Sequence, residues 1–219
     1  MILRNFLMYA NEDMGIKEVH KRLSFQSRCI TSTYERCFAK LQTTDIRQIN
    51  VSCVKEFPKS NLIVVDGFCD VEILYDVSEF LKLDDQEKKE VILDKLKQGI
   101  DKVVELNNWE ITSFDDAYNC VKESGYNTNY VWKKPKSSPN RSYKAEVFIE
   151  HGLHSCDINI IIKDKKGQEI TKKRVASEMP DELVFGHHLG ELKWLSNNEV
   201  ALFNYPKTNY VSVQLNEHQ

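Results

Sequence analysis

The chain has 219 residues, 41 % of them hydrophobic and 29 % charged, with ten Phe, nine Tyr and three Trp to fill an interior. These are globular values and argue against disorder. The net charge of −3, spread as 17 basic and 22 acidic side chains over residues 1–125 and 13 and 11 over residues 126–219, is not the footprint of a dedicated nucleic-acid binder, although it leaves room for a local basic patch.

Residues 1–10 are apolar, but Arg4 and Asn5 interrupt the run and Asn11-Glu12-Asp13 ends it without a small-residue cleavage site. The segment reads as core rather than signal peptide. No later apolar run approaches the ~20 residues that cross a bilayer. Cys29, Cys37, Cys53, Cys69, Cys120 and Cys156 are scattered, with no Cys-x-x-Cys pair, and read as reduced core thiols of a cytoplasmic protein. Residues 16–41 show no clear period. Strand-like runs follow at 49–54, 62–65 and 71–75, with Asp66-Gly67 as the turn between the last two.

At Asp84 the run Asp-Asp-Gln-Glu forms a capping box with Glu87. Leu93, Leu96, Ile100, Val103 and Val104 then recur at helical spacing and predict a helix over 84–109. Ser113 opens a second helix, with Phe114, Ala117, Tyr118 and Val121 as its stripe and Gly125 as its left-handed stop. From Tyr126 the period changes to two. Ile158, Ile160 and Ile162 face one way, residues 164–167 make a turn, and residues 170–175 return; 191–195 pairs with 200–203, and 210–215 is a last strand. Residues 135–140 suit a hairpin tip. The expected architecture is an α+β single domain, 1–219, in which an antiparallel meander over 126–219 packs with a pair of helices and a mixed N-terminal segment over 1–125.

Four groups carry candidate chemistry. His151, His154 and Cys156, with His187 from the neighbouring His187-His188 pair, are zinc-capable ligands, though strand alternation would send His187 and His188 to opposite faces. Pro180-Asp181 followed by Glu191-Leu192-Lys193 resembles the PD-(D/E)xK nuclease pattern over about fourteen residues. That resemblance implies a strand hairpin, two carboxylates holding Mg²⁺ and a lysine beside the attacking water. Asp66, Asp70, Glu72 and Asp76 form an acidic group. Tyr130, Trp132, Lys133, Lys134, Lys136, Arg141 and Tyr143 interleave aromatics with bases as a single-strand binder does, and equally as a solvated hairpin does.

No dinucleotide fingerprint, phosphate-binding loop, nucleophile elbow or His-Glu-x-x-His occurs, so no cofactor is expected. The reading is a non-enzymatic module that binds another protein, of inhibitor or immunity type, through Asp66, Asp70, Glu72 and Asp76. Nucleic acid is a less favoured partner, and no membrane partner is expected. The alternative is a metal-dependent nuclease or phosphodiesterase using Asp181, Glu191 and Lys193.

Overall fold

A computed structural model describes residues 1–10 and 17–215, with side chains of the first helix described from Arg22 onward. The polar stop at 11–13 lies outside the described residues. The chain divides into two compact units, Met1–Asn127 and Thr128–Gln219, two residues beyond the change of period at 125.

The N-terminal unit runs β1 (Ile2–Leu3), β2 (Asn5–Ala10), α1 (Lys17–Cys37), β3 (Leu41–Gln42), β4 (Gln48–Val54), β5 (Ile63–Val65), β6 (Phe68–Leu74), α2 (Val77–Phe80), α3 (Asp85–Leu106) and α4 (Thr112–Glu123). Strands β2, β4 and β6 are parallel, β5 pairs antiparallel with β6, and the order is β2-β4-β6-β5. Alternation sorts the faces. Phe6, Met8, Ile49, Val51, Cys69 and Val71 are buried on one, while Tyr9, Asn50, Ser52, Asp70 and Glu72 share the other.

Helices α1 and α3 cover the apolar face. Gly99 lets α3 approach: a Cβ there would lie 2.5 Å from Val51 Cγ2. The apolar stripe of α3 is thus received by the parallel sheet of its own unit. Asp84 and Glu87 form the capping box read from the sequence. Ser113 does not cap α4, which starts one residue earlier from Ile111 without a side-chain cap; Gly125 does supply the left-handed stop, at φ 64°. Phe6, Tyr34, Phe38 and Phe114 pack as one aromatic cluster, and Tyr34 Oη donates to Phe114 O at 3.0 Å.

A disulfide joins Cys37 to Cys120, with Cα atoms 6.1 Å apart. This corrects the reading of all six cysteines as reduced: two helix ends that look unrelated in sequence meet in the fold. The other four are free and buried.

The C-terminal unit runs β7 (Tyr130–Ser137), β8 (Tyr143–His151), β9 (Cys156–Asp164), β10 (Glu169–Glu178), α5 (Glu182–Phe185), a 3-10 turn (Gly186–His188), β11 (Glu191–Trp194), β12 (Glu199–Phe203) and β13 (Tyr210–Gln214). Two antiparallel sheets form, β10-β9-β8-β7 and β11-β12-β13. One core joins them, with Val147, Ile158 and Ile160 from the first and Leu192, Trp194 and Val200 from the second. The α+β class and the antiparallel meander therefore stand, beside a mixed N-terminal sheet. Pro135 and Lys136 belong to β7, and the hairpin tip lies beyond them at 138–142. No described helix is long and apolar enough to cross a membrane.

Candidate metal centre and basic cleft

Glu178 ends β10, and the chain then reverses through α5 and the 3-10 turn to return His187 and His188 beside it. Local signals fix that reversal. Asp181 caps α5, accepting from Leu183 N at 2.8 Å. Phe185 anchors the helix in the core and meets the His151 ring edge-on at 5.3 Å, while His151 Nε2 lies 3.1 Å from Pro180 O. The segment is pinned at both ends.

One potential ligand atom each from Glu178, His187 and His188 falls within 4.8 Å of the others, the one such group of three among the described residues. His188 Nε2 is 2.9 Å from Glu178 Oε1. The two imidazole centroids are 3.8 Å apart. Alternation does not separate these histidines, because they occupy a 3-10 turn rather than a strand. His187 Nδ1 bonds to Val184 O. A carbonyl only accepts, so Nδ1 carries a proton and the neutral ring presents Nε2 as its lone-pair nitrogen, the arrangement by which metal-binding histidines are oriented.

Tetrahedral bonds of about 2.0–2.2 Å place ligand atoms roughly 3.3–3.6 Å apart. With the ligand atoms within 4.8 Å of one another, that spacing needs small side-chain shifts, and His188 Nε2 must give up the proton that it shares with Glu178. His188 and Glu178 side chains keep 28 % and 33 % of their exposure, so the group is open to solvent and to an incoming ion. His187 and His188 also line a cleft of about 340 Å³ walled by Val175, Ala176, Leu202, Tyr210 and Val211, with Asn204 and Asn209 at its polar side.

A second cleft, of about 270 Å³, lies between β7 and β11, lined by Trp132, Lys133, Lys134, Lys136, Gly190, Glu191 and Lys207. The 204–209 loop contributes to both clefts. Tyr205 N donates to His187 O at 2.7 Å, tying this loop to the histidine turn. Gly190 is required where β11 passes the loop, since a Cβ there would lie 2.2 Å from Asn204 O.

Of the residues read from sequence as zinc ligands, only His187 is in the cluster. His151 is fully buried and faces Cys156 across β8 and β9; its work is to hold the 180s segment. His151 is thereby withdrawn from ligation, while His154 is exposed and lies outside the cluster. The nuclease-like outline fares differently. The strand hairpin that the outline implies does not form before β11, because residues 182–185 make the helix α5; Asp181 is its cap, and Glu191 pairs with Lys207 at 2.7 Å. Glu191 and Lys193 share one face of β11 by alternation. Glu191 is held below the usual carboxylate range by Lys207 first, then by Lys193 and Lys136.

The acidic group is also divided. Asp66 is the exposed residue of the β5–β6 turn, at φ 50°, and Asp76 caps α2 and pairs with Lys55 at 3.4 Å. Asp70 and Glu72 alone share a concavity, with Tyr9, Ser52, Lys59 and Ile63. Asn50 Nδ2 donates to Asp70 Oδ1 at 2.8 Å. Burial pushes Glu72 up, but hydrogen bonds and charge from Lys59 outweigh it and leave its carboxyl below the usual range.

A cysteine nucleophile is disfavoured. Burial pushes the Cys29, Cys53 and Cys156 thiols up to about 12 and Cys69 up to about 11, so none supplies thiolate near neutral pH. Glu178 went unread in the sequence as a ligand, and alternation allowed only one of His187 and His188, because nothing local marks a chain reversal that brings residues 178, 187 and 188 together. Compared with protein-family models, curated proteins and solved structures, the chain matches none, and the site is read from its geometry.

Proposed function

We propose that the protein is a metal-dependent hydrolase of phosphodiesters whose divalent ion is held by Glu178, His187 and His188. The convergence of these three ligand atoms within 4.8 Å beside a cleft carries the reading. Two imidazoles and one carboxylate suit zinc and leave a position for water, which a bound ion activates by lowering its pKa towards about 7. The chain's own contribution is orientation. Val184 O orients the His187 ring, and the apolar walls of the cleft flank a ligand position that stays open to solvent. The lysines of the neighbouring cleft favour an anionic substrate. Asp181 is taken by its cap and Glu191 pairs with Lys207, so Lys193 is the part of the nuclease-like outline left to a substrate.

Titration calorimetry with Zn²⁺ should show one ion per chain. Glu178→Gln and His188→Ala should each weaken it by more than the roughly 10–100-fold that loss of an outer-shell partner costs, with parallel loss of hydrolysis of bis(p-nitrophenyl) phosphate. Absence of zinc, manganese and magnesium uptake would remove this reading.

The concavity at Asp70 and Glu72, beside the exposed apolar edge strand Ile63–Val65, favours a second reading, a non-enzymatic inhibitor-type module that binds a basic protein. Charge reversal at Asp70 should then weaken a captured complex and its salt dependence. For either reading we propose the cytoplasm on the four cysteines left as free thiols, a placement that the Cys37–Cys120 disulfide opposes, since such bonds persist chiefly in oxidising compartments; thiol trapping in cells tests it, and an oxidised Cys37–Cys120 pair would overturn it.

A further inference from the structure

The basic cleft is built by irregular backbone. Strand β7 breaks register with β8 between Trp132 and Lys136, and Lys133 within that bulge has φ 57°. Lys207, on the opposite wall, has φ 78°. Left-handed residues other than glycine cost of order 1 kcal/mol or more and gather at ligand sites. Two lysines held this way line one cleft. A bulge re-aims side chains that regular pleating would send to alternate faces, and here Lys133, Lys134 and Lys136 all reach the same concavity.

The bulged strand is fixed from β11: Trp194 Nε1 donates to Lys136 O at 2.9 Å. Four lysines thus surround one carboxylate, Glu191, which neutralises only Lys207. Trp132 supplies a flat surface in the same cleft, and the Lys133 ammonium lies 3.9 Å from its ring centroid. A cation now occupies a face on which a base could stack.

We infer that this cleft binds single-stranded nucleic acid, with backbone phosphates on Lys133, Lys134, Lys136 and Lys207 and an unpaired base on the Trp132 ring. Alternating cationic and aromatic contacts are how single strands are held without reading sequence, whereas a duplex keeps its base faces covered. Because the 204–209 loop contributes to both clefts, a strand on the lysines passes near His187 and His188. This deepens the hydrolase reading by naming its substrate class, and its test does not depend on metal.

Fluorescence anisotropy of the full chain with a labelled oligothymidylate, in EDTA, should show binding at low salt. Each lysine contact contributes a slope of about −0.7 in log affinity against log salt. Lys133→Glu with Lys136→Glu should weaken binding roughly tenfold or more and flatten that slope. Trp132→Ala should weaken oligothymidylate roughly tenfold yet leave inorganic polyphosphate unaffected. Since Trp132 is partly buried, Trp132→Phe, which keeps a ring, should retain most of the affinity. Absence of binding, indifference to the lysine reversals, or duplex bound as tightly as single strand would overturn the proposal. So would polyphosphate competing equally while Trp132→Ala changes nothing. Oligonucleotide binding without metal uptake keeps this inference and removes the hydrolase; metal uptake without oligonucleotide binding does the reverse.

Discussion

Asp66, Asn108 and Tyr126 of the N-terminal unit take left-handed backbone where they close a hairpin and follow two helix ends, and Arg141 of the C-terminal unit does so in the β7–β8 tip, whereas Lys133 and Lys207 of the C-terminal unit take the same conformation and line a single cleft. The first use serves the chain's path. In the second, strained backbone presents charge, and it lies beside a chain reversal that gathers two imidazoles and a carboxylate. The difference teaches where function is to be sought: strain that turns the chain needs no further account, while strain that presents like charges to one another asks for a ligand.

The largest expected effect tests the N-terminal unit as scaffold. The Cys37–Cys120 bridge has a sequence separation of 83, and in the chain-entropy account a loop of that length stabilises by about 4 kcal/mol. Cys37→Ser with Cys120→Ser should lower unfolding free energy by that order in urea denaturation while zinc affinity is kept. Loss of zinc binding in the folded variant would break the contrast between scaffold and site.

A pair of glycine substitutions probes both units. Gly99→Val drives branched methyls into Val51, where a single Cβ already comes within 2.5 Å, at a cost of about 3 kcal/mol. Gly190→Ala, with its Cβ 2.2 Å from the Asn204 carbonyl oxygen, must displace backbone between the two clefts. It should therefore lose zinc and oligonucleotide binding together, while Gly99→Val loses stability alone. Unchanged binding in Gly190→Ala would show the clefts to be independent of that contact.

Much of this contrast was legible before the fold was known. The capping box of α3, the 164–167 turn and the β11–β12 hairpin each follow from local chemistry. Helix α1 was not legible, because its buried face carries Ser27, Thr31, Ser32 and Thr33, which mask the apolar period. Their hydroxyls are satisfied by carbonyls, as in Ser27 Oγ to Met8 O at 3.1 Å and Thr33 Oγ1 to Cys29 O at 2.7 Å. Parallel pairing of β2, β4 and β6 was hidden with it, since recognising a β-α-β crossover depends on seeing the helix. Sequence marked the lysines and aromatics of β7 but not the bulge that points them into one cleft.

A smaller effect sharpens the account of that bulge. Trp194→Phe keeps the ring in the core and deletes the hydrogen bond to Lys136 O, costing about 1 kcal/mol. Oligonucleotide affinity should fall several-fold with little change in zinc affinity, as read by anisotropy and calorimetry on the same protein. Equal loss of both would mean that Trp194 supports the C-terminal unit as a whole.

The smallest effect compares one accessible ion pair from each unit. Lys59 Nζ lies 3.2 Å from Glu72 and Arg174 Nη1 lies 2.9 Å from Asp157. Burial raises both carboxyls, yet hydrogen bonds and charge from Lys59, and from Ser177 and Arg174, outweigh it and leave both below their usual ranges. Each therefore binds its proton less readily folded than unfolded. The stability it lends is present above the unfolded pKa, about 4.3 for Glu and 3.9 for Asp, and is lost as pH falls through the lower folded value. Pairs this accessible contribute about 1 kcal/mol or less. Glu72→Gln should remove that contribution near neutral pH and flatten the acid limb of hydrogen-exchange protection in strands β4 and β6, and Asp157→Asn should do the same in β9 and β10. An acid limb left unchanged in either variant would assign the acid sensitivity of that unit to carboxylates other than the paired one.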